Sequence, residues 1–130
     1  MPSTDLPLID WEEYATARDE LGPAFIRMFG YFREDGLAAV ECLEEAVRAK
    51  DASAMVVPAD KLATDAAQFG ALRLAQLADR IEEHARLCVE ARQTPDDYVE
   101  HVVALRPLFQ ETLAAIAAEA SPLVQRKGAA

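Results

Sequence analysis

Residues 55–85, MVVPADKLATDAAQFGALRLAQLADRIEEHA, decide the fold of this chain. Met55, Ala59, Leu62, Ala66 and Phe69 recur at steps of four and three, the period that gathers side chains on one face of a helix. Gly70 interrupts the run, and a second periodic set follows at Leu74, Leu77, Ala78, Ile81, Ala85 and Cys88. Two amphipathic helices joined by so short a break are expected to be antiparallel neighbours. Pro58 bears on where the first of them starts. Deep inside a helix a proline costs about 3 kcal/mol, whereas in the first turn its missing N–H has no intrahelical partner to lose. The regular helix is therefore predicted to begin close to Val57.

Working outward, the same period holds on both sides, and no run alternates with period two, so helices are expected and strands are not. Upstream, Asp10 is placed to cap a helix starting at Trp11, with Glu13 positioned to complete a capping box and Trp11 and Tyr14 offering an apolar side. This helix is short and ends by Gly22. Pro23 suits the first position of a longer helix whose stripe reads Phe25, Met28, Phe29, Phe32, Gly36, Val40, Leu43 and Val47, with a bend predicted near Gly36. Lys50, Asp51 and Ser53 form a polar break. Downstream, Thr94, Pro95, Asp96 and Asp97 spell an N-cap, a first-turn proline and two carboxylates suited to the positive helix end. The inner face of the last helix would use Tyr98, Val102, Leu105, Phe109, Leu113 and Ile116, with a kink or break at Pro107. The prediction is an all-α antiparallel four-helix bundle with a short extra N-terminal helix, spanning residues 9–120. Residues 1–8 read as a flexible arm and residues 121–130 as a mobile tail.

Charge narrows the function classes. With 13 Lys and Arg against 23 Asp and Glu, the net charge of −10 repels phosphate backbones and anionic lipid, so neither nucleic acid nor membrane is an expected partner. The longest apolar stretches fall well short of the ~20 residues that cross a bilayer. Cys42 and Cys88 stand apart, with no CxxC or Cys/His grouping, and no signal peptide is recognisable. Both thiols are expected to be reduced and packed, in a cytoplasmic monomer.

The stretch Ala59-Asp60-Lys61-Leu62-Ala63-Thr64-Asp65-Ala66-Ala67-Gln68-Phe69-Gly70-Ala71 resembles the signature of histidine phosphotransfer (HPt) domains of bacterial two-component phosphorelays. That signature reads His-x-Leu-Lys-Gly, then roughly five residues, then Phe/Leu-Gly-Ala. Leu74, Leu77 and Ile81-Glu82 match the family's next helix, and Ile9-Asp10-Trp11 with Leu21-Gly22 resembles its common start, so the likeness spans about residues 8–118. The departures fall on chemistry. Asp60 stands where the family carries its phosphorylated His, Ala63 where it usually has Lys, and Thr64 where a Gly lets the partner approach. Leu62, Ala66, Phe69, Gly70 and Ala71, the structural positions, are kept.

The resemblance implies a partner, a response-regulator receiver domain or a histidine kinase, and the substitutions imply a non-catalytic member. Phosphotransfer in this family resembles in-line attack by a neutral imidazole nitrogen on an aspartyl phosphate. A carboxylate at position 60 instead brings a like charge towards phosphate and the receiver's own acidic pocket, unfavourable by about 1 to 4 kcal/mol at ~4 Å depending on dielectric. Ala63 deepens the defect by removing a cation. Acyl phosphate formation on Asp60 needs a Mg²⁺-binding acidic cluster converging with a Lys, which Asp60, Lys61 and Asp65 on one helix do not supply. In the first turn behind Pro58, Asp60 also has an ordinary structural use, facing the positive end of the helix. The face around it holds Val56, Val57, Ala63, Thr64 and Ala67, small and apolar, and is the expected partner-binding surface.

Other candidates read as structural. His84 and His101 lack the x-Leu-Lys-Gly surroundings and read as half-exposed helix residues, although a working carrier using His84 is an alternative. No Glu-x-x-His occurs to suggest a di-iron centre. Glu44 with Arg48 and Glu82 with Arg86 read as surface pairs. No catalytic triad, phosphate loop or dinucleotide-binding glycine pattern is present, so no cofactor and no enzyme activity are predicted. A helical adaptor outside two-component signalling is the remaining reading.

Overall fold

A computed structural model describes residues 6–120. Along them run α1 (Trp11–Leu21), α2 (Phe25–Arg48), α3 (Ser53–Gln68), α4 (Leu72–Ala91) and α5 (Val99–Ala120), with 3₁₀ turns at Gly22–Ala24 and Asp96–Tyr98. No strand occurs among the described residues. Helix α2 packs on α3 and α5, α4 packs on α3 and α5, and α1 lies against α2 and α3. No helix among the described residues is long and apolar enough to cross a membrane.

The helix starts follow from side-chain chemistry. The Asp10 carboxylate accepts from the N–H groups of Glu12 and Glu13 at 3.1 and 3.2 Å, satisfying two donors left open at the start of α1. Glu13 returns no bond among the described residues. The Asp10 N–H instead donates to the Gly70 carbonyl at 2.7 Å, tying the start of α1 to the α3–α4 connection. Leu6 is held as well, its carbonyl accepting from Arg73 Nε of α4. Asp51 is the working cap of α3: its carboxylate accepts from the Ala54 N–H at 3.2 Å and from the Ser53 hydroxyl at 2.8 Å. Helix α3 thus begins at Ser53 rather than near Val57, and Pro58 is its sixth residue. The bond Pro58 removes would have gone to the Ala54 carbonyl, in an exposed first turn where solvent can satisfy it. Pro107 likewise lies inside a continuous α5 and does not break it. Thr94 does not cap that helix; its hydroxyl donates to Asp96 at 2.9 Å.

Aromatic side chains fill the centre. Phe69, 2% exposed, meets Phe25, Phe29 and Phe32 at ring-centroid distances of 5.8, 6.0 and 5.1 Å, and Phe32 meets Phe109 at 5.8 Å. Gly36 seats this cluster, because a Cβ there would lie 2.4 Å from Phe109 Cε1. Met28, Leu77, Tyr98 and Leu113 sit at the margin of the core, half-buried. Thr112 is the buried polar side chain the periodicity did not single out, and its hydroxyl donates to the Leu108 carbonyl at 2.7 Å.

Two expectations about the surface change. Cys42 is exposed, not packed, while Cys88 is buried. Glu82 and Arg86 pair at 2.8 Å as expected. Glu44, however, takes Arg106 of α5 in a two-pronged pair at 2.8 and 3.0 Å that holds its carboxyl below the usual range, and Arg48 turns to Glu45. The planar guanidinium of Arg106 matches a carboxylate better than a one-pronged contact along a single helix.

Candidate docking face

Helix α3 presents an outward face to solvent. Val57 is 74% exposed, and Asp60, Thr64 and Ala67 follow it along the same side, all exposed. Val56 is half-buried at the margin. Ala63 does not belong to this face: it is only 5% exposed. Its place follows from spacing, since it lies four residues after Ala59 and three before Ala66, both fully buried, and shares their side of the helix. The face predicted from sequence therefore contracts to Val57, Asp60, Thr64 and Ala67, edged by Val56.

The electrostatics of the face are one-signed. Lys61, beside Asp60, is committed elsewhere: its ammonium donates to Asp65 at 3.0 Å and lies 3.6 Å from Asp35 of α2, and the Asp65 hydrogen bond leads in holding it above the usual lysine range. Asp60 makes no ion pair among the described residues. Across on α4, the Asp79 carboxyl is pushed up, first by burial and then by the charges of Glu82, Glu83 and Asp60. A carboxylate at position 60 thus adds to negative charge already present instead of being absorbed by a neighbour.

At the C-terminal end of α3 the face opens into a cleft of about 600 Å³ against α1, lined by Glu12, Glu13 and Glu20 with Leu21, Ala67 and Gln68. In sequence Glu13 reads as a capping-box residue and Glu12 and Glu20 belong to no motif, although Glu13 and Glu20, seven residues apart, fall on one side of a helix.

His84 and His101, read from sequence as separate, are brought together around Tyr98. The His84 ring stacks on Tyr98 at 3.8 Å and 7°, and His101 covers the other face at 4.0 Å and 13°. His84 Nε2 lies 3.3 Å from Cys88 Sγ, and the thiol also donates to the Thr94 carbonyl at 3.6 Å. Burial, followed by Asp97 and Asp96, pushes the Cys88 thiol up, so it stays protonated and non-nucleophilic at neutral pH. His101 Nδ1 is buried without a hydrogen-bond partner among the described residues. The rings clamp the C-terminal half of α4 to the 3₁₀ turn and first turn of α5, and Tyr98 and His101, three apart, are the part of this visible in sequence. Among the described residues, no three His, Cys, Asp or Glu side chains gather where a metal ion could be held. No protein-family model, no curated protein and no solved structure matches this chain.

Proposed function

We propose that this chain is an HPt-like four-helix bundle of α2 to α5, with α1 as its extra N-terminal helix, that docks on a receiver domain or histidine kinase of a phosphorelay without accepting phosphate. It acts by occupying the surface that a phosphotransfer partner would use. The observation that carries the reading is the 74% exposed Val57 one turn from an Asp60 that no cation neutralises among the described residues, at the position where the resemblance places a phosphorylated histidine. An exposed branched apolar side chain contributes up to about 1.5 to 3 kcal/mol when a partner buries it, enough to anchor a small interface. The lack of a ring nitrogen at position 60 removes transfer while leaving docking intact.

Carriage of phosphate on His84 is the weaker reading. Its Nε2, whose in-plane lone pair would have to attack phosphorus, is turned to Cys88 Sγ at 3.3 Å. The test of docking is Val57→Glu, titrated calorimetrically against a panel of receiver domains and kinase dimerisation domains. Binding should weaken by about tenfold or more, while thermal unfolding stays within a few degrees of the parent. A large fall in melting temperature, or unchanged binding, contradicts the assignment.

A further inference from the structure

We infer that this chain pairs with a second copy of itself through the groove between α2 and α5, in place of the monomer expected from sequence. The groove, about 430 Å³, is lined by Val47, Val99, Val102 and Val103 with Glu44 and Arg48. Val47 and Val102 are buried, but Val103 is 63% exposed and Val99, one helical turn before it, is exposed as well. Two branched apolar side chains are thus left to solvent at the mouth of an apolar groove, and a second surface that covers them removes their area from water.

Charge selects the occupant. The one carboxylate and the one guanidinium that line the groove cancel, in a chain whose net charge is −10. Both are already answered, Glu44 by Arg106 of α5 at 2.8 Å and Arg48 by Glu45 at 3.3 Å. A basic partner therefore finds no open carboxylate lining the groove, and an acidic one no open cation. A surface that carries both signs in a fixed order is matched by the same surface turned about a two-fold axis, where each residue meets its counterpart's neighbour and the reverse contact repeats it. Arg48 and Glu45 lie one turn apart on α2 with side chains 70% and 73% exposed. Two α2 helices crossing antiparallel exchange that pair for Arg48 with Glu45 of the partner subunit, twice over, and lose no ion pair. The valines supply affinity and the exchanged pairs set register. Helix α3 packs on α1, α2 and α4 and lines no part of the groove, so the dimer keeps both Val57 faces open and offers two docking faces to a partner with two sites.

Sedimentation equilibrium of the full chain over a range of concentrations tests this. The parent should approach twice its 14.2 kDa mass as concentration rises. Val103→Glu and Val103→Lys should each weaken dimerisation by about tenfold or more, with thermal unfolding of the monomer within a few degrees of the parent at so exposed a site. The two variants separate burial from charge, because Glu adds to the repulsion between acidic copies and Lys reduces it. Arg48→Glu should also weaken pairing, and Glu45→Arg added in the same chain should restore it, since both cross-copy pairs are then reversed together. A parent that stays monomeric up to about 1 mM, a dimer that survives Val103→Lys, or an Arg48→Glu defect that Glu45→Arg does not repair overturns the inference.

Discussion

Phe69→Ala is expected to destabilise the chain by about 3 to 5 kcal/mol, read as a fall in the urea midpoint without loss of cooperativity. Phe69 is the ring on which α2 and the end of α3 converge, touching Phe25, Phe29 and Phe32. Truncation removes the transfer energy of a buried phenyl group and leaves a cavity among rings that cannot all close in at once, since Phe32 is itself held against Phe109. A loss below about 1 kcal/mol would mean that the aromatic centre is not packed as described.

Gly70→Ala is expected to cost about 2 to 4 kcal/mol despite adding one methyl group. The residue has φ +72°, a region where a side chain is strained, and a Cβ there would meet the Asp10 carbonyl at 2.6 Å and the Tyr14 N at 3.1 Å. Both obstacles are backbone atoms, so neither can swing aside as a side chain would. The same residue accepts the Asp10 N–H at 2.7 Å, so displacing it also loosens the cap of α1. Urea unfolding checks this too, and an alanine variant as stable as the parent would show that α1 does not approach the α3–α4 connection so closely. The Phe-Gly-Ala stretch therefore has physical reasons for its residue types that are independent of phosphate chemistry.

Much of the helical order was legible because it rests on local rules. Asp10, Gly22 and Gly70 act where cap and turn chemistry places them, Pro23 falls in the 3₁₀ turn before α2 rather than at its first position, and Phe25, Phe32, Leu43, Leu62, Leu74 and Ile81 face inward as their spacing requires. What the sequence did not disclose depends on pairs distant along the chain. Gly36 reads as a weak point until the Phe109 ring is found against it, and Glu44 reads as the partner of Arg48 until Arg106 arrives from α5. Pro58 misled because the length of helix before it was set by Asp51, a cap lying in what reads as a polar break. Around Asp60, the exposure of Val57, Asp60, Thr64 and Ala67 is legible from helical period, while Ala63 is buried because it shares the side of Ala59 and Ala66. The cleft glutamates of α1 stayed hidden because they acquire meaning only where α1 crosses the end of α3.

The central claim is that this chain binds a phosphorelay protein and takes up no phosphate. Its most direct test is the intact mass of the full chain after incubation with a phosphorylated receiver that it binds, with Asp60→His measured alongside. No phosphoryl adduct is expected on the parent, and at most a minor one on the variant, since Thr64 still stands where the resemblance places a glycine that lets the partner approach. A stoichiometric adduct on the parent that returns its phosphoryl group to the receiver would contradict the account.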